Sequence, residues 1–292
     1  MTAPLPDDHP HAPRLRLALA IAAEAAETIH RWAGRVSEYE LKTERGDPTD
    51  PVTAIDKEVE AAAVARIRAA FPGDAVVAEE GHRDRWEPEA GGGGRWAWIL
   101  DPIDGTKNFI HGSPHCCVSL AVADGPQVEL GVVAAPLLGE TFWAARGFGA
   151  FSSARGRLHV SPTRELHRAA VTFDVNARDG DTLSRWLERC RRMLAHPVQT
   201  LRNHGSAALE LCMVARGSAE AHLEAGLDLW DVAAGWLIAV EAGGAVWNLD
   251  GKPLRSLQDF KGDIVACNSQ ELAEALFECL GAGGTSPPPA RL

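Results

Sequence analysis

The chain has 292 residues, 46% of them hydrophobic, which is ample for a sizeable buried core. A formal net charge of -11 excludes an electrostatic grip on nucleic acid or on an anionic membrane, because both need clustered Lys and Arg. An acidic protein that handles phosphate needs metal ions between itself and its substrate.

Residues 1–13, rich in Pro, His and Asp, read as a disordered tail, as does the Gly/Pro-rich stretch 281–292, with a single catalytic domain expected over 14–280. From Leu15 to about Trp32 the apolar residues Leu15, Leu19, Ala22, Ala26 and Ile29 recur at helical spacing. This run is short, follows Asp7 and Asp8 and meets Glu24, so it is neither a signal peptide nor a membrane span. A second helical pattern covers 52–71, and the polar segment 42–50 between them, with Gly46 and Pro48, is a loop. Two short apolar runs, 75–78 and 96–100, read as buried strands that deliver Glu79, Glu80 and Asp101 at their ends. The glycines 91–94 between them are a connector rather than a phosphate cradle, since no GxxxxGK[ST] pattern accompanies them.

Over 118–160 the pattern becomes that of a meandering antiparallel sheet, punctuated by Gly125-Pro126, Gly139, Gly147 and Gly156. The second half alternates helices (182–194, 205–215, 231–242, 270–280) with strands at 220–224 and near Val246 and Ile264. No repeat or linker interrupts it, and a layered α/β architecture follows, with strand order open. The six cysteines form no CxxC pair and read as free thiols in a reducing, cytoplasmic compartment.

The segment Trp98-Ile99-Leu100-Asp101-Pro102-Ile103-Asp104-Gly105-Thr106-Lys107-Asn108-Phe109 carries the strongest chemical signal. Pro102 biases Asp101 toward an extended backbone and fixes its own φ, so Asp101 and Asp104 can converge on one point. Gly105 permits close backbone approach, and Thr106-Lys107-Asn108 can open a helical turn whose N–H groups face an anion. Magnesium takes carboxylates, waters and phosphate oxygens, and Asp101, Asp104 and the carbonyl of Ile103 suit it. Taken singly, an Asp-Pro-x-Asp-Gly turn is also an ordinary surface turn, Glu79 and Glu80 a solvated pair, Asp231 a helix cap, and Asp50 a cap or turn residue. Their conjunction decides between the two readings.

Five stretches together resemble the inositol monophosphatase family, within the larger group of lithium-sensitive, magnesium-dependent phosphatases. They are Asp50-Pro51-Val52-Thr53-Ala54-Ile55-Asp56, Ala78-Glu79-Glu80-Gly81, the segment 98–109, Gly205-Ser206-Ala207-Ala208, and Trp230-Asp231-Val232-Ala233-Ala234-Gly235 with Glu241-Ala242-Gly243-Gly244. The resemblance implies an alternating αβαβα sandwich of the inositol monophosphatase and fructose-1,6-bisphosphatase type, and commonly a homodimer. It implies that Glu79, Asp101 and the Ile103 carbonyl hold one Mg²⁺ and that Asp101, Asp104 and Asp231 hold a second, with Glu79 also facing a third, weaker ion. It places the phosphate against the N–H groups of Gly105 and Thr106, and it pairs the Thr106 hydroxyl with Asp50 to orient a nucleophilic water. Glu224 corresponds to a carboxylate that binds substrate hydroxyls, and Ala207 to a small residue of the pocket wall.

The activity so implied is Mg²⁺-dependent hydrolysis of a small phosphate monoester, inositol monophosphate first. No GxSxG or HExxH occurs to suggest serine or zinc hydrolysis. Lys107 departs from the animal inositol enzymes and is common in the nucleotidase and histidinol-phosphate branches, so a histidinol-phosphatase is the alternative within the family. The alternative from another class is a regulatory binding partner of RNA-polymerase assemblies, as for some bacterial relatives.

Overall fold

The computed structural model describes residues 5–42, 49–86, 96–175 and 180–281. The expected glycine connector at 91–94, most of the 42–50 loop and the tail beyond Gly281 lie outside the described residues. Helix α1 (Ala12–Trp32) begins inside the stretch expected as a tail, with a proline in its first turn, where the missing N–H costs the helix nothing. Leu5, ahead of it, is buried in the same core as α1. A two-rung antiparallel hairpin, β1 (Glu40–Leu41) and β2 (Pro51–Val52), leads to α2 (Ala54–Ala70), capped by the Thr53 side chain.

Seven strands then form one sheet in sequence order: β3 (Ala75–Ala78), β4 (Trp96–Asp104), β5 (Cys117–Asp124), β6 (Gln127–Ala135), β7 (Glu140–Ala145), β8 (Gly149–Ser152) and β9 (Gly156–Arg157). Only β3 and β4 pair in parallel; the rest is the expected meander. A short helix, α3 (Thr106–His111), follows β4. The second sheet is built from β10 (Ala170–Val175), β11 (Thr200–Arg202), β12 (Ala221–Ala225), β13 (Ala245–Trp247) and β14 (Asp263–Cys267), in the order β11-β10-β12-β14-β13. The remaining helices are α4 (Gly180–Ala195), α5 (Ala207–Ala215), α6 (Leu229–Glu241) and α7 (Gln270–Leu280). Sequence patterning missed β10, whose apolar run is interrupted by Thr172 and Asp174, and the three-residue β11.

The strand period of two sorts the sheet residues into layers. Trp98, Leu100, Val118, Leu120 and Val122 point into a core shared with α1 and α2, whereas Ile99, Cys117, Ala121 and Ala123 point toward α5 and α6. On the second sheet, Val246, Ile264 and Ala266 face α5 and α6, and Leu223, Val265 and Cys267 face α4 and α7. The order is therefore α, β, α, β, α, the sandwich anticipated from the resemblance. The middle helices are apolar nearly all round because both faces are covered. They also sit close: a Cβ on Gly131 would lie 2.7 Å from the Ala234 carbonyl, and one on Gly235 would lie 2.7 Å from Leu211 Cβ.

Candidate active site

β4 is continuous to Asp104, but its pairing with β5 slips between Asp101 and Asp104. Asp101 lies opposite Ser119 and Asp104 opposite Cys117, so three steps on one strand match two on the other. Pro102, which lacks an N–H for the ladder, sits in this bulge. Residues three apart on a regular strand point to opposite faces; the slip turns Asp101 and Asp104 to the same side, that of Cys117 and Ser119. Gly105 follows at φ 85°, and a Cβ there would meet the His115 carbonyl at 2.7 Å and that of Gly205 at 3.0 Å, so only glycine fits the turn into α3.

Asp50, Glu79, Asp101, Ile103, Asp104, Gly105, Thr106, Ala207, Glu224 and Asp231 all line one pocket of about 460 Å³, a size suited to a small ligand. Asp231 arrives in the first turn of α6, where its Oδ2 accepts the Asp228 N–H at 2.7 Å. Asp104 Oδ2 accepts the Ser206 hydroxyl at 2.7 Å and the Ala208 N–H at 2.8 Å, both from the start of α5, with Cys117 Sγ at 3.6 Å. Asp101 Oδ1 accepts the Ile103 N–H at 2.9 Å. Each carboxylate is thus aimed through one oxygen.

Asp50 does line the pocket, but the carboxylate beside the Thr106 hydroxyl is Asp56, at 3.2 Å, and this corrects the expected Asp50–Thr106 pair. The reason is local. Asp50 precedes Pro51 in the hairpin and spends its carbonyl on the Lys42 N–H. Thr53 then caps α2, and Asp56 at the third helical position folds back so that its Oδ2 accepts the Thr53 N–H at 2.8 Å and hydroxyl at 2.5 Å, leaving Oδ1 toward Thr106. The Thr106 hydroxyl is also 3.0 Å from the Ile103 carbonyl, so its one proton has two acceptors. The Thr-x-x-Asp spacing was the signal in the sequence that could have found Asp56.

Two further groups had been given no chemical role from the sequence. One helical turn beyond Asp56, buried Glu60 accepts the Glu80 N–H at 2.6 Å and the His82 N–H at 3.1 Å, which pins the turn bearing Glu79. On the opposite wall His204 stacks on His115, ring centroids 4.3 Å apart, and bonds through Nδ1 to buried Glu210 at 2.5 Å; that hydrogen bond raises the His204 pKa. Asn108 Nδ2 lies within hydrogen-bond distance of the carbonyls of His115, His204 and Gly205, tying this wall to α3.

The electrostatics are those of crowded, dry carboxylates. Burial, followed by the repulsion of Glu79, raises Asp101 and Asp231 well above the usual carboxylate range. Burial also lifts Asp104 to about 6, against the opposing pull of its Ser206 and Ala208 hydrogen bonds, and burial with the charge of Glu79 lifts Glu80 to about 7. Such a cluster fits a hard cation: the donors are all oxygen, they are desolvated, and they repel one another without a positive charge between them. Among the described residues, however, no three acidic, His or Cys side chains already stand as a closed ligand set. Glu79 is instead engaged by the Lys42 ammonium at 2.8 Å.

This fold and this pocket define a class of layered α/β proteins with a carboxylate-lined cleft, and comparison with known proteins places the chain within it. The family described as "Inositol monophosphatase family" matches residues 11–282. The chain is 37% identical to the Nus factor SuhB of Pseudomonas aeruginosa over 262 residues, covering 88% of this chain and 92% of that protein. It is 31% identical to human inositol monophosphatase 1 over 261 residues, covering 86% and 91% respectively. Among solved structures, the Thermotoga maritima IMPase superposes with a TM-score of 0.80 at 31% identity, over 92% of this chain and 97% of that one. The extragenic suppressor protein SuhB of Bartonella henselae gives 0.81 at 30% identity, over 93% and 99%. The chain belongs to the inositol monophosphatase family.

All six cysteines are free thiols, as expected. Among the described residues no helix is long and apolar enough to cross a membrane.

Proposed function

We propose that the protein is a phosphoric monoester hydrolase acting on a small polyol phosphate, inositol monophosphate first, with Mg²⁺ as its cofactor. One observation carries the reading: Glu79 from the turn after β3, Asp101 and Asp104 from β4, and Asp231 from α6 line a single pocket beside the Gly105–Thr106 backbone. Glu79, Asp101, the Ile103 carbonyl, Asp104 and Asp231 would hold the ions. Bound Mg²⁺ supplies Lewis-acid neutralisation of the phosphate oxygens and lowers the pKa of water.

The chain's own residues do the positioning. The N–H groups of Gly105 and Thr106 receive phosphate oxygens at the start of α3. Asp56 and the Ile103 carbonyl accept the hydrogen bond of the Thr106 hydroxyl, which leaves the Oγ1 lone pairs free to accept a hydrogen bond from an attacking water and so orient it. Glu224, buried on β12 beside the pocket, and the Ala207 wall face the organic part of the ester. Raised carboxylate pKa values keep the cluster poised to exchange protons for cations near neutral pH.

The test is release of inorganic phosphate from inositol monophosphate and from histidinol phosphate at varied Mg²⁺, with and without EDTA. The reading expects Mg²⁺-dependent turnover, faster on the inositol ester; hydrolysis undiminished in EDTA rejects the metal, and preference for the histidinol ester moves the assignment to that branch.

A second reading, a regulatory partner in RNA-polymerase assemblies, is favoured by the likeness to a relative named as a Nus factor. It predicts that Asp104→Asn abolishes hydrolysis yet leaves the cellular phenotype normal. A homodimer and a cytoplasmic location complete the proposal, and light scattering and fractionation test them.

A further inference from the structure

A strip of polar side chains runs from the pocket into the apolar middle of the molecule. His222 and Glu224 stand two apart on β12, so they share a face, and their partners on β14, Ala266 and Ile264, belong to the core with α5 and α6. On the other side β10 sets Thr172 beside His222 and Asp174 beside Glu224. Glu224 and Asp174 line the pocket; His222 lies two residues back along the strand, fully buried. Its Nε2 is 3.3 Å from Glu224 Oε2, and its Nδ1 is 2.9 Å from Thr172 Oγ1.

The hydrogen bonds fix the role of each ring nitrogen. The Thr172 hydroxyl gives its own proton to the Ala221 carbonyl at 3.5 Å, so it accepts from the His222 Nδ1–H. Nε2 is then the nitrogen turned to Glu224. A bare Nε2 lone pair and a bare carboxylate oxygen would repel at 3.3 Å, so a proton lies between them. Burial raises Glu224 well above the usual carboxylate range, with repulsion from Asp174, Asp104 and Glu210 adding to it, and burial lowers His222 against the pull of Glu210, Asp174 and Asp104. Both shifts disfavour a lone charge and suit a pair that is neutral as a whole, whichever member holds the proton.

We propose that His222 is a positioning residue for substrate recognition: it shares one proton with Glu224, holds Oε2 inward, and so aims the other carboxyl oxygen at a hydroxyl of the ester's organic part. The inference rests on the reading of Glu224 as the residue that faces that part of a polyol phosphate. A strand buried on both faces calls for an apolar residue at this position, and an imidazole there must be supplied with polar partners. Thr172 and Glu224 are those partners. Because His222 is not part of the pocket lining, it acts on the substrate through Glu224 alone.

Two measurements test it. In the metal-free protein, nitrogen NMR of the imidazoles, with His222→Gln to assign the signal, shows His222 protonated at Nδ1 and an Nε2 shift that moves in Glu224→Gln. With Mg²⁺ present, His222→Leu lowers kcat/KM for inositol monophosphate about tenfold relative to phenyl phosphate, which carries no hydroxyl, and does so mostly through KM. Tenfold corresponds to about 1.4 kcal/mol, the order of one hydrogen bond. His222→Gln, whose amide still donates to Oε2, recovers much of the ratio, and in a Glu224→Gln background His222→Leu no longer moves it. Equal losses on both esters, an undiminished effect in the Glu224→Gln background, or an Nε2 shift indifferent to Glu224→Gln assigns His222 to packing and overturns this inference alone. A normal ratio in Glu224→Gln removes the hydroxyl role of Glu224, and the inference with it, while the phosphatase reading stands. No hydrolysis of either ester by wild type overturns the proposed function as well.

Discussion

The hydroxyl of Thr106 stands 3.2 Å from Asp56 Oδ1, across 50 residues of sequence, and Asp56 is held there by the same two hydrogen bonds from Thr53 that start helix α2. A helix cap has been turned into the support of a reactive group. The residue therefore has two separable jobs, and substitution exposes both.

Asp56→Asn keeps the shape but removes the charge that accepts the Thr106 hydrogen bond. We expect kcat to fall by about 10²–10³, the range for loss of a positioned general base or donor, with KM little changed. The weakened cap costs about 1 kcal/mol of stability. Thr106→Ala should show the same kinetic loss without the stability cost, and Thr106→Ser should restore turnover. Steady-state kinetics beside urea melts decide it; full activity in Asp56→Asn removes the pair from the mechanism.

Ser206 donates to Asp104 Oδ2 at 2.7 Å and so opposes the burial that lifts this carboxylate to about 6. In Ser206→Ala the opposing hydrogen bond is gone and the Asp104 pKa rises further. Rates at saturating Mg²⁺ should lose their acid side first, with that limb of the pH profile displaced to higher pH. A profile that only scales down, without displacement, assigns Ser206 to packing alone.

The raised pKa values fix how the metal-free protein responds to pH. Asp104 and Glu80 titrate near 6 and 7 in the fold, and Asp101 and Asp231 are also raised, whereas the unfolded chain releases these protons near the ordinary carboxylate values of about 4. Between those limits the native state binds more protons than the unfolded state, so stability falls as pH rises through the window from about 4 to 7. Melting in EDTA should accordingly drop from pH 5 toward pH 8, and Mg²⁺ should recover most of the loss at the upper end, where the carboxylates are charged. A melting temperature in EDTA that climbs over this range contradicts the electrostatic account.

Gly131 faces the α6 backbone, and a methyl there would meet the Ala234 carbonyl at 2.7 Å. Gly131→Ala must push the seven-stranded sheet and α6 apart, at a cost of about 1–3 kcal/mol. Chemical denaturation should show a lower midpoint with an unchanged slope. Because Asp231 rides on α6, Mg²⁺ affinity should weaken as well; an unaltered midpoint disproves the close packing.

Much of the site was legible in the chain itself. The helices, the meander and the carboxylate-bearing strand ends follow from periodicity, because side-chain spacing is set by local backbone geometry. The Asp-Pro-x-Asp-Gly run marked an irregularity after Leu100, where the sequence reading ended the strand; β4 instead continues to Asp104 with a slipped register, because proline cannot donate to the ladder, and glycine enters the turn that follows at φ 85°. All ten residues singled out from the sequence line the one pocket.

What remained was decided only in three dimensions. Asp50 and Asp56 are both acidic and six positions apart, and choosing between them as the partner of Thr106 depends on which way the chain turns after Thr53 and where α3 comes to rest against α2. Lys42, Glu60 and Glu210 look like ordinary surface charges until distant strands and helices close over them. Local sequence sets backbone conformation and period, but the energy of a charge depends on what else is within a few ångströms and how much water is left, and both are properties of the assembled fold.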